Sequence, residues 1–309
     1  MTDIKASEVK ALREYSGAGM MDCKRALAEA GGDLDAAVDW LRAKGLAKAA
    51  KKSGRIAAEG LVGLAVAGNR GAVVEVNAET DFVARNASFQ SFVTAMAGLA
   101  LATEGGADAV LAARWPGVDR TAADQLTETI AVIGEHLALR RCAALSVDGP
   151  GVVASYVHAA IAPDLGRIGV LVGLASSGDP VALQALGRQI AMHVAAARPE
   201  FLNPDAVDPA AVARERAVLL EQARESGKPD AVIAKIVEGR LRKYIEDVCL
   251  IGQIFVIDGE RTIAKVLQDA ESIVGAPIRV TGFLRYGLGE GLERKSEDFA
   301  AEVEVAMRG

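Results

Sequence analysis

At 309 residues the chain is long enough for two or three domains, and at 51% hydrophobic but only 4% aromatic its core must be built from Ala, Val, Leu and Ile. A net charge of −6 and a pI near 5.3 disfavour broad binding to phosphate backbones, so no nucleic-acid partner is expected. "MTDIKASEVK" has no signal- or transit-peptide character, no apolar run reaches about 18 residues, and Cys23, Cys142 and Cys249 form no CxxC pair; a reduced cytoplasmic setting without a membrane partner is expected.

The chain opens with three predicted helices. Ser7 can cap "EVKALREYSG", which stops at Gly17. "MMDCKRALAEAGG" stops at a double glycine, and Asp33 can cap "LDAAVDWLRAKG", which stops at Gly45. Val9 and Leu12, Met20 and Leu27, and Leu34, Val38 and Leu41 recur at helical spacing, giving a small bundle over 1–46. "LAKAAKKSGR" then carries four positive charges and no acid. It reads as a solvated linker over 47–55, with contact to an acidic partner as the other reading.

Two β-rich runs follow around Gly68-Asn69-Arg70-Gly71, a hairpin signal. A helix is expected over 87–101 and more helical material over 121–141. The pattern then recurs. "GVVASYVH" and "RIGVLVGLA" read as strands, and Asp179-Pro180 starts a helix as N-cap and first-position proline. Gly71 matches Gly169 and Phe92 matches Ile190, so the core reads as a duplicated α+β subdomain, 56–148 and 149–202 with 248–290. Between the last two parts lies an insert, 203–247. It opens with the proline-rich "RPEFLNPDAVDP" and continues as helices over 210–226 and 230–247. Their stripes, Val212, Leu219, Leu220 and Ala223 against Ile233, Ile236, Val237, Leu241 and Ile245, predict an antiparallel hairpin. "IFVID" and "IRVTGFLRYGLGEG" return to strand character. The end, 291–309, predicts an amphipathic helix capped by Ser296 with Phe299, Val303 and Met307 on one face.

The duplication isolates one unusual stretch. The second copy joins strand to helix through the short "ASSGDP", but the first uses "NAETDFVARN", which puts Asp81 beside Phe82 in a polar connection. Long structured connections are more often functional than short ones. Catalytic motifs are missing elsewhere. His136, His158 and His193 make no i,i+4 pair with each other or with Cys. There is no GxSxG and no GxxxxGK[ST], and "GLGEG" fails as a dinucleotide fingerprint because its third glycine is displaced. His193, among Ala, Val and Met, reads as packed or capping. No cofactor or metal is expected, and the chain reads as one that acts by binding another protein.

"VKALREYSGAGMMDCKRALAEAGGDLDAAVDWLRAKG", "AETDFVARN", "RIGVLV", "HVAAARPEFL" and the late "GEG" resemble the bacterial elongation factor Ts family over nearly the whole chain. The resemblance implies a guanine-nucleotide exchange factor for elongation factor Tu. Its expected parts are a ubiquitin-associated-like N-terminal domain, a two-part core, a helical-hairpin insert able to form a homodimer, and a C-terminal helical module. It implies that Asp81 and Phe82, flanked by Thr80 and Val83, wedge into the partner's GTP-binding domain and disturb magnesium and phosphate binding. The bland alternative has Phe82 under its own helix and Asp81 capping it. The resemblance also implies partner contacts at Arg13, Met20, Met21 and Lys24, at Ile133 and Gly134, at His158, and at Val256 and Ile257. Two adjacent methionines cannot both face inward on a short helix, so at least one of Met20 and Met21 should be exposed. A sheet-core role is the other reading for one of Val256 and Ile257, and a long tip, "AAIAPDL", sits after His158. A small-molecule α+β enzyme and a passive adaptor built on the N-terminal helices are the competing functions.

Overall fold

The computed structural model describes residues 4–16, 18–225 and 227–292. The expected stop at Gly17 and the C-terminal helix around Ser296, Phe299, Val303 and Met307 lie outside the described residues.

The N-terminal unit is α1 (Ala6–Ser16), α2 (Met20–Glu29) and α3 (Leu34–Lys52), closed over Val9, Leu12, Cys23, Ala26, Leu27 and Ala37. Ser7 is no cap, because α1 begins at Ala6 and the Lys5 N–H donates to Glu8 Oε2 at 3.1 Å. Asp33 does cap α3, accepting the Ala36 N–H at 2.8 Å. The expected stop at Gly45 and the solvated linker after it are corrected: α3 runs on to Lys52. Gly45 sits against a core helix, where a Cβ would lie 3.4 Å from the Ala131 Cβ. Ala49 packs on the core, and Arg42 Nη2 donates to Asp124 Oδ1 at 2.8 Å.

The core has an α+β fold. Strands β1 (Glu59–Ala67) and β2 (Arg70–Ala78) form a hairpin through Gly68, at φ +60, and Asn69. Helices α4 (Ala87–Ala102), α5 (Ala107–Ala112) and α6 (Ala122–Ile133) and strand β3 (Leu137–Ser146) complete the first copy. The second copy is β4 (Gly151–His158), β5 (Leu165–Gly166), β6 (Ile168–Ala175), α7 (Pro180–Ala197), the inserted hairpin α8 (Pro209–Arg224) and α9 (Asp230–Val248), α10 (Ile263–Val274) and β7 (Arg279–Gly287). All strand pairs are antiparallel, in sheets ordered β3-β2-β1-β5 and β4-β6-β7. Leu219, Ala223, Ile233 and Val237 hold α8 to α9.

The duplication extends further than the sequence indicated. Thr121 caps α6 and Thr262 caps α10; Gly134 at φ +86 and Gly275 at φ +83 end them. Ladder irregularities fall at Glu75/Val76 and at Gly173/Leu174. Helical structure expected over 121–141 therefore stops at Gly134, and its last residues belong to β3. "IFVID" is no sheet strand either: after a 3-10 turn, Leu250–Gly252, it makes a single bridge from Ile254 to Thr262. The tip after His158 becomes β5, which pairs with β1 and ties the second copy to the first sheet.

The two sheets face one another over Val62, Leu64, Val73, Val153 and Leu171, with α4 and α7 on their outer sides. The matched glycines belong to this interface. A Cβ on Gly71 would lie 2.7 Å from Val153 Cγ1, and one on Gly169 would lie 2.7 Å from Val62 Cγ1. Each therefore admits a valine of the opposite sheet. Nearby, Glu75 is fully buried and accepts from Arg140 Nη1 (2.9 Å), Arg141 Nε (2.5 Å), Asn77 Nδ2 (3.1 Å) and the Gly289 N–H (2.9 Å). "GLGEG" is thus a loop clasped to β2. Burial would raise the Glu75 pKa, but the Gly289 N–H, both arginines and Asn77 hold it below the ordinary value.

Candidate functional site

The segment after β2 is short and heavily braced. Glu79 accepts the His136 N–H at 2.6 Å and Arg55 Nη1 at 3.2 Å. Burial raises its pKa, yet His136, Arg55 and Lys52 outweigh this and keep it ionised. Thr80 donates twice to Glu135, from its N–H at 2.9 Å and its hydroxyl at 2.6 Å. A 3-10 turn, Asp81–Arg85, follows; Val83 and Ala84 drop into the core below it. Gln90 Nε2 donates to the Ala84 carbonyl at 2.9 Å. Asn86, not Asp81, caps α4 by accepting the Ser88 and Phe89 N–H groups. With its neighbours fixed on both sides, Phe82 stands on the crest at 80% exposure, beside an exposed Asp81. The packing alternative for Phe82 is not what the chain adopts; Phe89 and Phe92 fill the space under α4.

Ile133 and Gly134 lie directly across this brace. Gly134 has open space where a Cβ would stand, its carbonyl accepts from Lys52 Nζ, and Ile133 is half-buried against the core. Glu135 and His136, which follow, grip Thr80 and Glu79, so two stretches more than 50 residues apart in sequence form one surface. Sequence reading missed the gripping residues Glu79, Glu135 and His136; the polar clusters "AET" and "GEH" were the available signal.

Met20 and Met21, at the start of α2, are 58% and 71% exposed, and Arg13 and Lys24 are exposed nearby in the same unit. The buried face of α2 is Cys23, Ala26 and Leu27, so Met20 does not belong to the bundle core as its spacing suggested. His158 is exposed at the end of β4, with Tyr156 Oη 3.2 Å from its Nδ1. Val256 and Ile257 are both half-exposed on the loop before α10, and neither has a sheet-core role. Val83 departs from the expected contact set: at 5% exposure it is an anchor of the turn. Among the described residues no group of three or more His, Cys, Asp or Glu side chains converges as a metal-ligand set, and no helix is long and apolar enough to cross a membrane.

Comparison with known proteins agrees with this architecture. A family model described as elongation factor TS matches residues 79–290. A protein of Rhodospirillum rubrum named elongation factor Ts is 60% identical over all of both chains. One of the same name from Paramagnetospirillum magneticum is 60% identical over 98% of this chain and 97% of its own, and one from Rhizobium etli is 55% identical over all of both. The duplicated α+β core with its braced, outward-facing phenylalanine is thus that of a translation elongation factor. The chain belongs to the elongation factor Ts family.

Proposed function

We propose that this chain binds elongation factor Tu carrying GDP and promotes release of the nucleotide, acting in the cytoplasm by protein binding and not by catalysing a chemical reaction. Asp81 and Phe82 enter the partner's GTP-binding domain and disturb the groups that hold magnesium and phosphate. Thr80, Ile133 and Gly134 form the surface around that point. Arg13, Met20, Met21 and Lys24 reach the same domain from the N-terminal unit (1–46), while His158, Val256 and Ile257 make contacts from the second subdomain. The helical hairpin, 203–247, is the proposed homodimer surface, supported by exposed Val218 and Val232.

The observation that carries this reading is Phe82 at 80% exposure on a turn pinned at both ends. Burying a phenylalanine is worth about 1.5–3 kcal/mol, and the free chain leaves most of that unused. Exchange then needs no catalytic group. If this chain weakens GDP binding by some factor, GDP weakens its binding equally. A thousandfold effect requires about 4 kcal/mol of contacts made only with the nucleotide-free partner. The test is direct: elongation factor Tu loaded with fluorescent GDP is chased with unlabelled GDP, with and without this protein. Release accelerated by orders of magnitude is expected; release at the intrinsic rate would overturn the proposal.

A further inference from the structure

We propose that His193 is a positioning residue for the Val256–Ile257 contact, acting through the backbone N–H of Val256. This rests on the exchange reading above. His193 lies on α7, has no solvent exposure, and uses both ring nitrogens: Val256 N is 3.3 Å from Nδ1, and Gln253 Oε1 is 2.9 Å from Nε2. A backbone N–H can only donate, so Nδ1 must be the unprotonated acceptor. The ring proton then sits on Nε2 and is donated to Gln253. Gln253 is oriented in turn by donating its Nε2 to the Asp247 carbonyl at 2.6 Å, in the last turn of α9. One chain of hydrogen bonds therefore runs from the inserted hairpin through α7 to the loop. Burial pushes the His193 pKa down against the opposing pull of Gln253, which favours the neutral ring this arrangement needs.

The loop itself shows what is being held. Phe255 is buried beside the His193 ring, 6.0 Å between centroids, while the next two side chains face out. Beyond them the loop is self-supporting. The Phe255 N–H donates to the Arg261 carbonyl (2.8 Å), the Gly259 N–H to the Phe255 carbonyl (2.8 Å), and Asp258 Oδ1 accepts from Glu260 and Arg261 N–H groups. The Val256 N–H is where this loop is fastened to α7.

The first copy of the repeat supplies a comparison. Trp115 is the counterpart of Phe255, since its N–H donates to the Arg120 carbonyl as that of Phe255 does to Arg261, in loops closed by the bridges Arg114–Thr121 and Ile254–Thr262. The counterpart of Val256 is then Pro116, which has no N–H to satisfy. When α4 and α7 are aligned by their buried faces, Phe89, Phe92, Val93, Met96 and Ala97 on Leu183, Leu186, Gly187, Ile190 and Ala191, the counterpart of His193 is Leu99, which has no acceptor. The acceptor is present in the copy that has a donor and absent in the copy that lacks one. A residue needed only to fill space in α7 would not track the donor in this way.

Two replacements separate positioning from packing. In His193→Asn the amide oxygen can stand where Nδ1 was and keep the Val256 N–H; in His193→Gln the longer amide reaches Gln253 and abandons Val256. Full-length variants are titrated into the fluorescent-GDP release assay, with urea unfolding in parallel. His193→Gln is expected to raise the concentration for half-maximal release roughly 5-fold at an unchanged maximal rate, the size of one hydrogen bond. His193→Asn is expected to stay within about 2-fold, by the same measure of a retained bond. On a Val256→Ala/Ile257→Ala background the His193→Gln effect should vanish. Equal shifts in both variants that follow their unfolding midpoints, no shift in either, or an effect that persists on the double-alanine background would overturn the proposal. Hydrogen exchange on the unaltered protein tests the geometry even if a variant fails to fold: the Val256 amide should exchange more slowly than that of Ile257, and equal rates would refute it. Failure of the unaltered protein to release GDP would strike the exchange reading itself, and the positioning role with it.

Discussion

Replacing Phe82 by Ala divides the cost of one side chain between the fold and the interface. At 80% exposure, about one fifth of the ring is buried within the chain. Scaling the value of a fully buried phenylalanine, about 1.5–3 kcal/mol, gives about 0.3–0.6 kcal/mol for the fold. For a protein of this size that lowers Tm by only about 1–2 °C. The remaining four fifths, about 1.2–2.4 kcal/mol, belongs to the complex and corresponds to a roughly 8- to 60-fold loss in GDP-release efficiency at limiting concentration. Phe89→Ala is the internal control: that ring is fully buried under α4, and its loss should destabilise by about 3–5 kcal/mol. The assays are scanning calorimetry and the rate of fluorescent-GDP release with increasing protein. A drop in Tm for Phe82→Ala approaching that of Phe89→Ala, or unchanged release, would refute the reasoning.

Three further outcomes follow from the packing. Gly71→Ala and Gly169→Ala should each cost about 1–3 kcal/mol in urea unfolding through overpacking between the sheets, whereas Gly98→Ala, with open space at that position on α4, should gain up to about 1 kcal/mol. Glu75→Gln should destabilise by about 3–5 kcal/mol at pH 7, because two arginines lose their buried partner. The Glu75 pKa is lowered in the fold, so its contribution is complete above the ordinary value of 4.5 and is lost as pH falls through the folded value. The urea-midpoint gap between the two proteins should therefore close in acid and not in base. Backbone amides of 47–52 should exchange as slowly as those elsewhere in α3; exchange at random-coil rates would restore the linker that the sequence suggested.

Most of the architecture was legible where local chemistry agreed with tertiary packing. The Gly68-Asn69 turn, the caps at Asp33 and at Asp179-Pro180, and the α8–α9 stripes all carry their own signals within a few residues. The misreadings share a cause. Gly45 has the composition of a helix stop, but α3 continues through it along α6, with Ala131 beside it, and that neighbour is invisible locally. Gly134 is a real stop, yet "LALRRCAALS" after it has helical composition and is a strand because β2 lies alongside. "IFVID" is β-branched and apolar but makes only the Ile254–Thr262 bridge, and it is β7 that pairs with β6. At the candidate site, the odd Asp81-Phe82 pair was conspicuous because its repeat partner lacks it. The bonds from Glu79, Glu135 and His136 that hold it up depend on stretches more than 50 residues apart. His193 was readable as buried, but its link to Val256 required the fold.

The central claim is that the Phe82 ring is exposed in the free chain and becomes buried only against a nucleotide-free partner. A fluorine-labelled phenylalanine placed at position 82 reports this by solvent-isotope shift. The account predicts a solvent-accessible resonance in the free protein, a protected one with nucleotide-free elongation factor Tu, and return to the accessible state as GDP is added. A resonance that is protected in the free protein, or that stays accessible in the complex, would contradict it.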